Sequence, residues 1–104
     1  MTSYPELKLY VGGDWCKTTG DLPVLNPATG EAIGKVPIAD PDTLDDALAA
    51  AASGFDAWRQ TSPRERADLI RSAAALLRTR QDEIAHSITI ENGKPFDQAR
   101  AEVI

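Results

Sequence analysis

The sequence predicts an α+β chain in which short antiparallel β-hairpins precede two to three α-helices. Up to residue 39, short runs of alternating apolar residues are separated by turns rich in Gly, Pro and Asp, as is typical of hairpins. From Asp40 onward, apolar residues recur every three or four positions, which indicates amphipathic helices. We therefore expect a flexible tail over residues 1–6, hairpins over 7–39 and a helical part over 40–104, together forming one partial domain.

The candidate strands form two hairpins. The strands are residues 7–11, 15–17, 22–25 and 32–38. Gly12-Gly13 predicts the first tight turn, because glycine adopts positive φ without steric cost. Asn26–Gly30 predicts the second turn, in which Pro27 fixes φ and Gly30 supplies positive φ. Pro23 indicates an edge strand, since proline donates no ladder hydrogen bond.

Two helices have clear start signals. Asp40 is a good N-cap and is followed by proline, which predicts a helix from Pro41 to about Gln60. Ser62–Glu65 reads as a capping box. The apolar pattern after it ends at Gly93, so we expect one continuous helix from Pro63 to about Asn92.

A third helical pattern starts at Lys94-Pro95 and places Phe96, Ala99 and Val103 on one face. Neither a glycine nor a polar cap precedes Ile104, so we expect this helix to be truncated. Apolar stripes also run along the two earlier helices, at Leu44, Ala47, Leu48, Ala51, Phe55 and Trp58, and at Ile70, Ala73, Ala74, Leu77, Ile84 and Ile88. Short hairpins cannot cover both stripes, so we expect the chain to self-associate or to pack against a missing remainder.

Composition excludes several functional classes. The net charge of −5 argues against nucleic acid, which recruits cationic surfaces. No apolar run approaches the roughly 18–20 residues that span a bilayer, and the single cysteine cannot form an internal disulfide. We therefore expect a cytoplasmic protein with neither a nucleic-acid nor a membrane partner.

Charges are segregated along the helical part. Residues 40–58 carry five Asp and no Lys or Arg, whereas residues 64–80 carry five Arg. Two interpretations remain open: two solvated helix faces, or an antiparallel helix pair whose outer edges attract each other. The spacing also predicts i,i+4 ion pairs between Arg64 and Asp68 and between Arg78 and Asp82.

We identify no catalytic or cofactor-binding residue in the sequence. Cys16 lies in a strand or turn with no neighbour that would activate a thiol, and His86 has no partner at metal-ligand spacing. Neither G-x-G-x-x-G nor a phosphate-binding loop occurs around Lys94 or elsewhere. No nucleophile, base and orienting group can be assembled.

Five motifs in order resemble the N-terminal region of the aldehyde dehydrogenase superfamily. They are Leu9–Trp15 (LYVGGDW), Leu25–Glu31 (LNPATGE), Phe55–Arg59 (FDAWR), Pro63–Ala67 (PRERA) and Ile90–Pro95 (IENGKP). The resemblance extends from Leu7 to Ile104, and the last motif is most similar to the succinate-semialdehyde dehydrogenase branch. It implies that the chain is the N-terminal part of the α/β fold of an enzyme that oxidises a small aldehyde to the acid with NAD or NADP.

The resemblance also implies where chemistry resides. In the family, the catalytic cysteine, the water-activating glutamate and the cofactor-binding strands lie downstream of this segment, and Cys16 does not match the catalytic motif. The segment is then an inactive scaffold piece; the alternative is a self-associating structural module with the same fold. Many members bind Na⁺ or K⁺ at positions that correspond here to the backbone oxygens of Val24 and Leu25 and to Glu91, often Asp in the family. Alternatively, Glu91 only solvates the helix end.

Overall fold

The computed structural model describes residues 4–103; the first three residues of the expected tail and Ile104 lie outside the described residues. The elements are β1 (Leu9–Val11), β2 (Asp14–Cys16), β3 (Gly20–Leu25), β4 (Ala32–Ile38), α1 (Pro41–Gln60), α2 (Pro63–Thr79), α3 (Gln81–Asn92) and α4 (Phe96–Glu102). The α+β class is confirmed, with two antiparallel hairpins followed by helices.

The first hairpin is short and closes as its glycines predict. Strands β1 and β2 pair with Val11 opposite Asp14. Gly12 and Gly13 occupy the turn with φ of 59° and 93°, values that L side chains rarely adopt. A Cβ at Gly12 would lie 3.5 Å from that of Ala50, so α1 approaches this hairpin closely at the turn.

The second hairpin contains a register shift next to its turn. Val24 lies opposite Gly34, but Leu25 lies opposite Ala32, so Ile33 is an extra residue in β4. Such an irregularity interrupts the ladder and leaves backbone groups unpaired. The shift therefore occurs at the two residues whose backbone oxygens the resemblance assigns to a cation.

Both predicted helix starts are confirmed. The backbone N–H of Thr43 donates to Asp40 Oδ1 over 2.8 Å, and this bond holds the Asp40 pKa below its usual value. At α2, Glu65 N–H donates to Ser62 Oγ over 3.3 Å, and Ser62 N–H donates to Glu65 Oε2 over 3.1 Å. Hydrogen bonds from the side chain and then the backbone of Ser62 lower the Glu65 pKa.

The prediction of one continuous helix from Pro63 to Asn92 is wrong, because the helix breaks at Arg80. Arg80 has φ −107° and ψ 14°, and its N–H donates to the Leu77 carbonyl three residues back, over 3.1 Å. This tighter turn ends α2, and α3 then starts at Gln81. The apolar pattern continues across the break, so the sequence carries no signal of it.

Contacts with α4 hold the start of α3. Gln81 Nε2 donates to the Arg100 carbonyl over 3.0 Å, and Arg100 Nε donates to Asp82 Oδ1 over 2.8 Å. Asp82 thus pairs with Arg100 and not with Arg78 as the spacing predicted. Asp68 likewise pairs with Arg71 rather than the predicted Arg64, over 3.2 Å.

The interior is small and lies between α3 and α4. Among the described residues, only Ala85 and Ala99 are buried, each with no exposed surface. The stripes on α1 and α2 face solvent; Leu48 is 70% and Phe55 65% exposed. The two helices meet where the Arg66 guanidinium lies 6.0 Å from the Trp58 ring centre, but they do not pack along their lengths. For the segregated charges of residues 40–58 and 64–80, this arrangement therefore favours two solvated helix faces over an antiparallel helix pair whose edges attract each other.

The described segment exposes more surface than a compact protein of its size. Its accessible surface is 8020 Å², whereas a folded monomer of this mass exposes about 5,700 Å². Its radius of gyration is 16.8 Å, against about 13 Å for a compact domain of this length. None of the helices within residues 4–103 has the length and apolar character needed to cross a bilayer.

Candidate functional site

The two residues with the most reactive side chains, Cys16 and His86, lie on different elements, β2 and α3. Cys16 ends β2, is half-buried, and its Sγ lies 3.6 Å from the Asp14 carbonyl oxygen. His86 lies half-buried on α3. Within residues 4–103, no three His, Cys, Asp or Glu side chains are grouped as a metal site.

The predicted cation residues come from two elements that meet at one corner. The turn after β3 is closed by Gly30 N–H, which donates to the Asn26 carbonyl over 2.7 Å. At the end of α3, Gly93 has φ 76° and its N–H donates to the Thr89 carbonyl over 2.8 Å, an αL helix end. A Cβ at Gly93 would lie 3.2 Å from Pro27 Cγ, so the turn lies directly against the end of α3.

Tyr4 connects the same two elements by a second contact. Its hydroxyl donates to Glu91 Oε1 on the last turn of α3. Its ring lies over Gly34 of β4, where a Cβ would be 2.5 Å from ring atoms Cδ1 and Cε1. Gly34 is the cross-strand partner of Val24, so Tyr4 links the Val24 end of the sheet to Glu91.

The environment of Tyr4 favours its neutral form. Desolvation raises the pKa of Tyr4 to about 12, and the hydrogen bond to Glu91 and the negative charge of Glu91 add to the effect. The phenol therefore stays protonated and available as a donor across the physiological range. The expected tail thus contains a residue that contacts both the sheet and α3.

The donors at this corner fit a monovalent cation in chemical type. Glu91 supplies a carboxylate, and the register shift lies between Val24 and Leu25, whose carbonyl oxygens are the other assigned ligands. Hard cations prefer oxygen donors of this kind. Tyr4 binds one carboxylate oxygen of Glu91, and the other oxygen remains for a further partner.

The sequence alone did not indicate that Tyr4 and Gly34 contribute to this corner. Tyr4 is 87 residues from Glu91 in the sequence, and it lies in a stretch without strand or helix periodicity. Gly34 sits inside a strand, where a glycine can mark a close approach by another group. The position of Gly34 inside a strand is therefore the one local feature of the sequence that could have indicated the contact with Tyr4.

Comparison with known proteins identifies the family. The model of the "Aldehyde dehydrogenase family" matches residues 15–104. The chain belongs to the aldehyde dehydrogenase family. It corresponds to an N-terminal segment of that family, as the five motifs predicted.

Individual relatives show how the segment relates to whole family members. The chain is 40% identical to malonate-semialdehyde dehydrogenase 3 of Geobacillus kaustophilus over 99% of this chain and 22% of that protein. It is 48% identical to the NAD(P)+ succinate semialdehyde dehydrogenase of Escherichia coli K12 over 76% of this chain and 17% of that protein. The chain thus spans about a fifth of the length of these relatives.

A solved structure shares the fold of the segment. The crystal structure of aldehyde dehydrogenase 21 from Physcomitrella patens, in complex with the reaction product succinate, matches with a TM-score of 0.88 and 31% identity. The match covers 96% of this chain and 21% of that chain. The hairpins and helices are therefore an aldehyde dehydrogenase substructure.

Proposed function

We propose that the complete protein carrying this segment oxidises a short carboxylated aldehyde, such as succinate semialdehyde, to the corresponding acid with NAD or NADP. The observation that carries the proposal is the family match over residues 15–104. Relatives named for malonate and succinate semialdehydes, and a related structure that holds succinate, support the substrate class. Hydride acceptance is the chemistry that the nicotinamide supplies.

Within that enzyme, we propose that the segment is scaffold rather than catalytic machinery. The sequence contains no dinucleotide-binding loop, so we assign no nicotinamide contact to its residues. The exposed faces of α1 and α2, with Leu48 and Phe55 largely in solvent, are surfaces suited to packing on the rest of the enzyme. A second copy of the segment is the alternative occupant, and it would make the segment a self-associating module.

We also propose that the corner formed by β3 and α3 binds Na⁺ or K⁺. The carbonyl oxygens of Val24 and Leu25 and the carboxylate of Glu91 would be the ligands from this chain. The contact between Pro27 and Gly93 supports the proposal because it brings the two elements together. A cation there would tie the second hairpin to α3. A cytoplasmic location is consistent with the free thiol of Cys16.

The test uses the complete protein with succinic semialdehyde, malonic semialdehyde and acetaldehyde, each with NAD and with NADP. We expect absorbance from the reduced nicotinamide to rise with at least one semialdehyde, and faster than with acetaldehyde. The Cys16→Ser variant is the matched control, and it should keep full turnover. Absence of turnover with every aldehyde would refute the proposed activity, and loss of turnover in Cys16→Ser would refute the scaffold role.

A further inference from the structure

We propose that Tyr4 is a positioning residue for Glu91: its hydroxyl holds the Glu91 carboxylate at the Val24–Leu25 end of β3, and Gly34 provides the space for its ring. The functional meaning of this inference rests on the proposed cation site. The geometry itself rests on two contacts of one side chain, its hydroxyl with Glu91 and its ring with Gly34.

Glu91 needs a partner because of its place in the helix. It lies in the last turn of α3, which contains no basic residue, and the helix dipole there disfavours negative charge. A hydroxyl donor offsets this cost and fixes one carboxylate oxygen in direction. The second oxygen is then oriented as well, because the two oxygens of a carboxylate are rigidly related.

The place of the Tyr4 ring depends on the absence of a side chain at residue 34. A methyl group at Gly34 would lie 2.5 Å from two ring carbons, so the ring would have to move. At Gly20, on the other strand of the same hairpin, a Cβ would meet the nearest side-chain atom of Ile38 at 3.7 Å, which is ordinary contact. Of these two glycines, only Gly34, which faces Val24 across the ladder, is closely approached.

The ion pairs made by Glu6, near the N-terminus, are weak. Glu6 pairs with Lys8 over 3.4 Å and with Lys17 over 3.6 Å, but the Glu6 side chain is 68% exposed. Exposed pairs of this type contribute little to stability. Tyr4 is thus the residue through which this stretch can influence the corner.

The test measures thermal unfolding of the complete protein as K⁺ or Na⁺ replaces choline at constant ionic strength. Tyr4→Phe removes only the hydroxyl. We expect it to raise the cation concentration that gives half of the stabilisation by roughly three- to tenfold, the scale of one hydrogen bond. Tyr10→Phe is the matched control: Tyr10 is 62% exposed and packs on Trp15, so its half-saturating concentration should equal that of the wild type.

Gly34→Ala tests the same inference without changing either hydrogen-bonding group. Displacing the ring should raise the half-saturating cation concentration as Tyr4→Phe does. Gly54→Ala is its control, since a Cβ there would meet no described atom within 4 Å. A cation response that is present in the wild type and unchanged in both Tyr4→Phe and Gly34→Ala would overturn the inference.

A double-mutant cycle separates this inference from the cation proposal. If the wild type responds to neither cation, the cation site is refuted, and Tyr4 is judged by its coupling to Glu91. Tyr4→Phe, Glu91→Gln and the double variant should then change the unfolding equilibrium constant non-additively, by roughly threefold or more. Additive effects would show that the hydroxyl does not hold the carboxylate.

Discussion

Replacing Gly93 with alanine should loosen the contact between the Asn26–Gly30 turn and the end of α3. Gly93 has φ 76°, and placing an L side chain in this left-handed conformation costs about 1–2 kcal/mol. The new methyl group would also lie 3.2 Å from Pro27 Cγ. Because Pro27 lies in an exposed turn that can shift, we assign that crowding about 1 kcal/mol, at the low end of overpacking costs.

Gly30→Ala provides the matched control for this prediction. Gly30 has nearly the same φ, 74°, but a Cβ there would meet no described atom within 4 Å. Both variants therefore carry the backbone cost, and only Gly93→Ala carries the crowding against Pro27. The difference between their free energies of unfolding isolates the contact between the turn and α3.

The assay is urea unfolding of the 104-residue chain, followed by tryptophan fluorescence. All variants are measured at one fixed protein concentration, because association makes the free energy of unfolding depend on concentration. Gly93→Ala should unfold at a urea midpoint roughly 0.5 M below that of Gly30→Ala, given a typical slope of about 2 kcal/mol per M. Equal midpoints would refute the contact and, with it, one of the two links that form the proposed cation corner.

Three further predictions concern the caps and the chemistry. Ser62→Ala should lower the free energy of unfolding by about 1 kcal/mol, whereas Ser72→Ala, which removes only a bond to the Asp68 carbonyl within α2, should not lower it in thermal melts. Cap hydrogen bonds lower the pKa values of Asp40 and Glu65. These two carboxylates therefore stabilise the fold above their unfolded-state pKa, and this contribution is lost as the pH falls through the folded-state pKa. Asp40→Asn should thus flatten the acid side of a plot of melting temperature against pH. The 104-residue chain should neither oxidise aldehydes nor bind NAD(P), and reduced nicotinamide formed by the isolated chain would contradict this.

Local features of this fold were predictable because local chemistry determines them. Asp40 and Ser62 satisfy backbone donors within three residues of themselves, and Gly30 closes a turn of five residues. Each of these interactions is encoded in a few consecutive residues, so the hairpins, the helix starts and the helix end at Gly93 follow from the sequence alone.

The missed features depend on contacts between distant residues. The break at Arg80 is accompanied by contacts of Gln81 and Asp82 with Arg100, and Arg80 is not itself a helix breaker. The contact between Tyr4 and Glu91 joins opposite ends of the chain. Periodicity reports which face of an element is apolar, but it does not report which distant element supplies a hydrogen bond.

The candidate cation corner also depends on contacts between distant residues, which the sequence pattern does not reveal. Its assigned ligands, Val24, Leu25 and Glu91, came from a family resemblance, and no periodicity pointed to them. The structure adds the register shift at Val24/Leu25 and the two contacts that bring β3 and α3 together. Only the tertiary arrangement connects these residues.

The most direct test of the central claim, that the α1 and α2 faces need an external partner, is sedimentation equilibrium of the 104-residue chain at micromolar concentration. These faces, with Leu48 and Phe55 mostly exposed, contribute to a surface well above that of a compact monomer. We expect a dimer or larger assembly held by helix packing. A single species of 11.2 kDa that unfolds cooperatively would contradict it, because the segment would then need no partner for these faces.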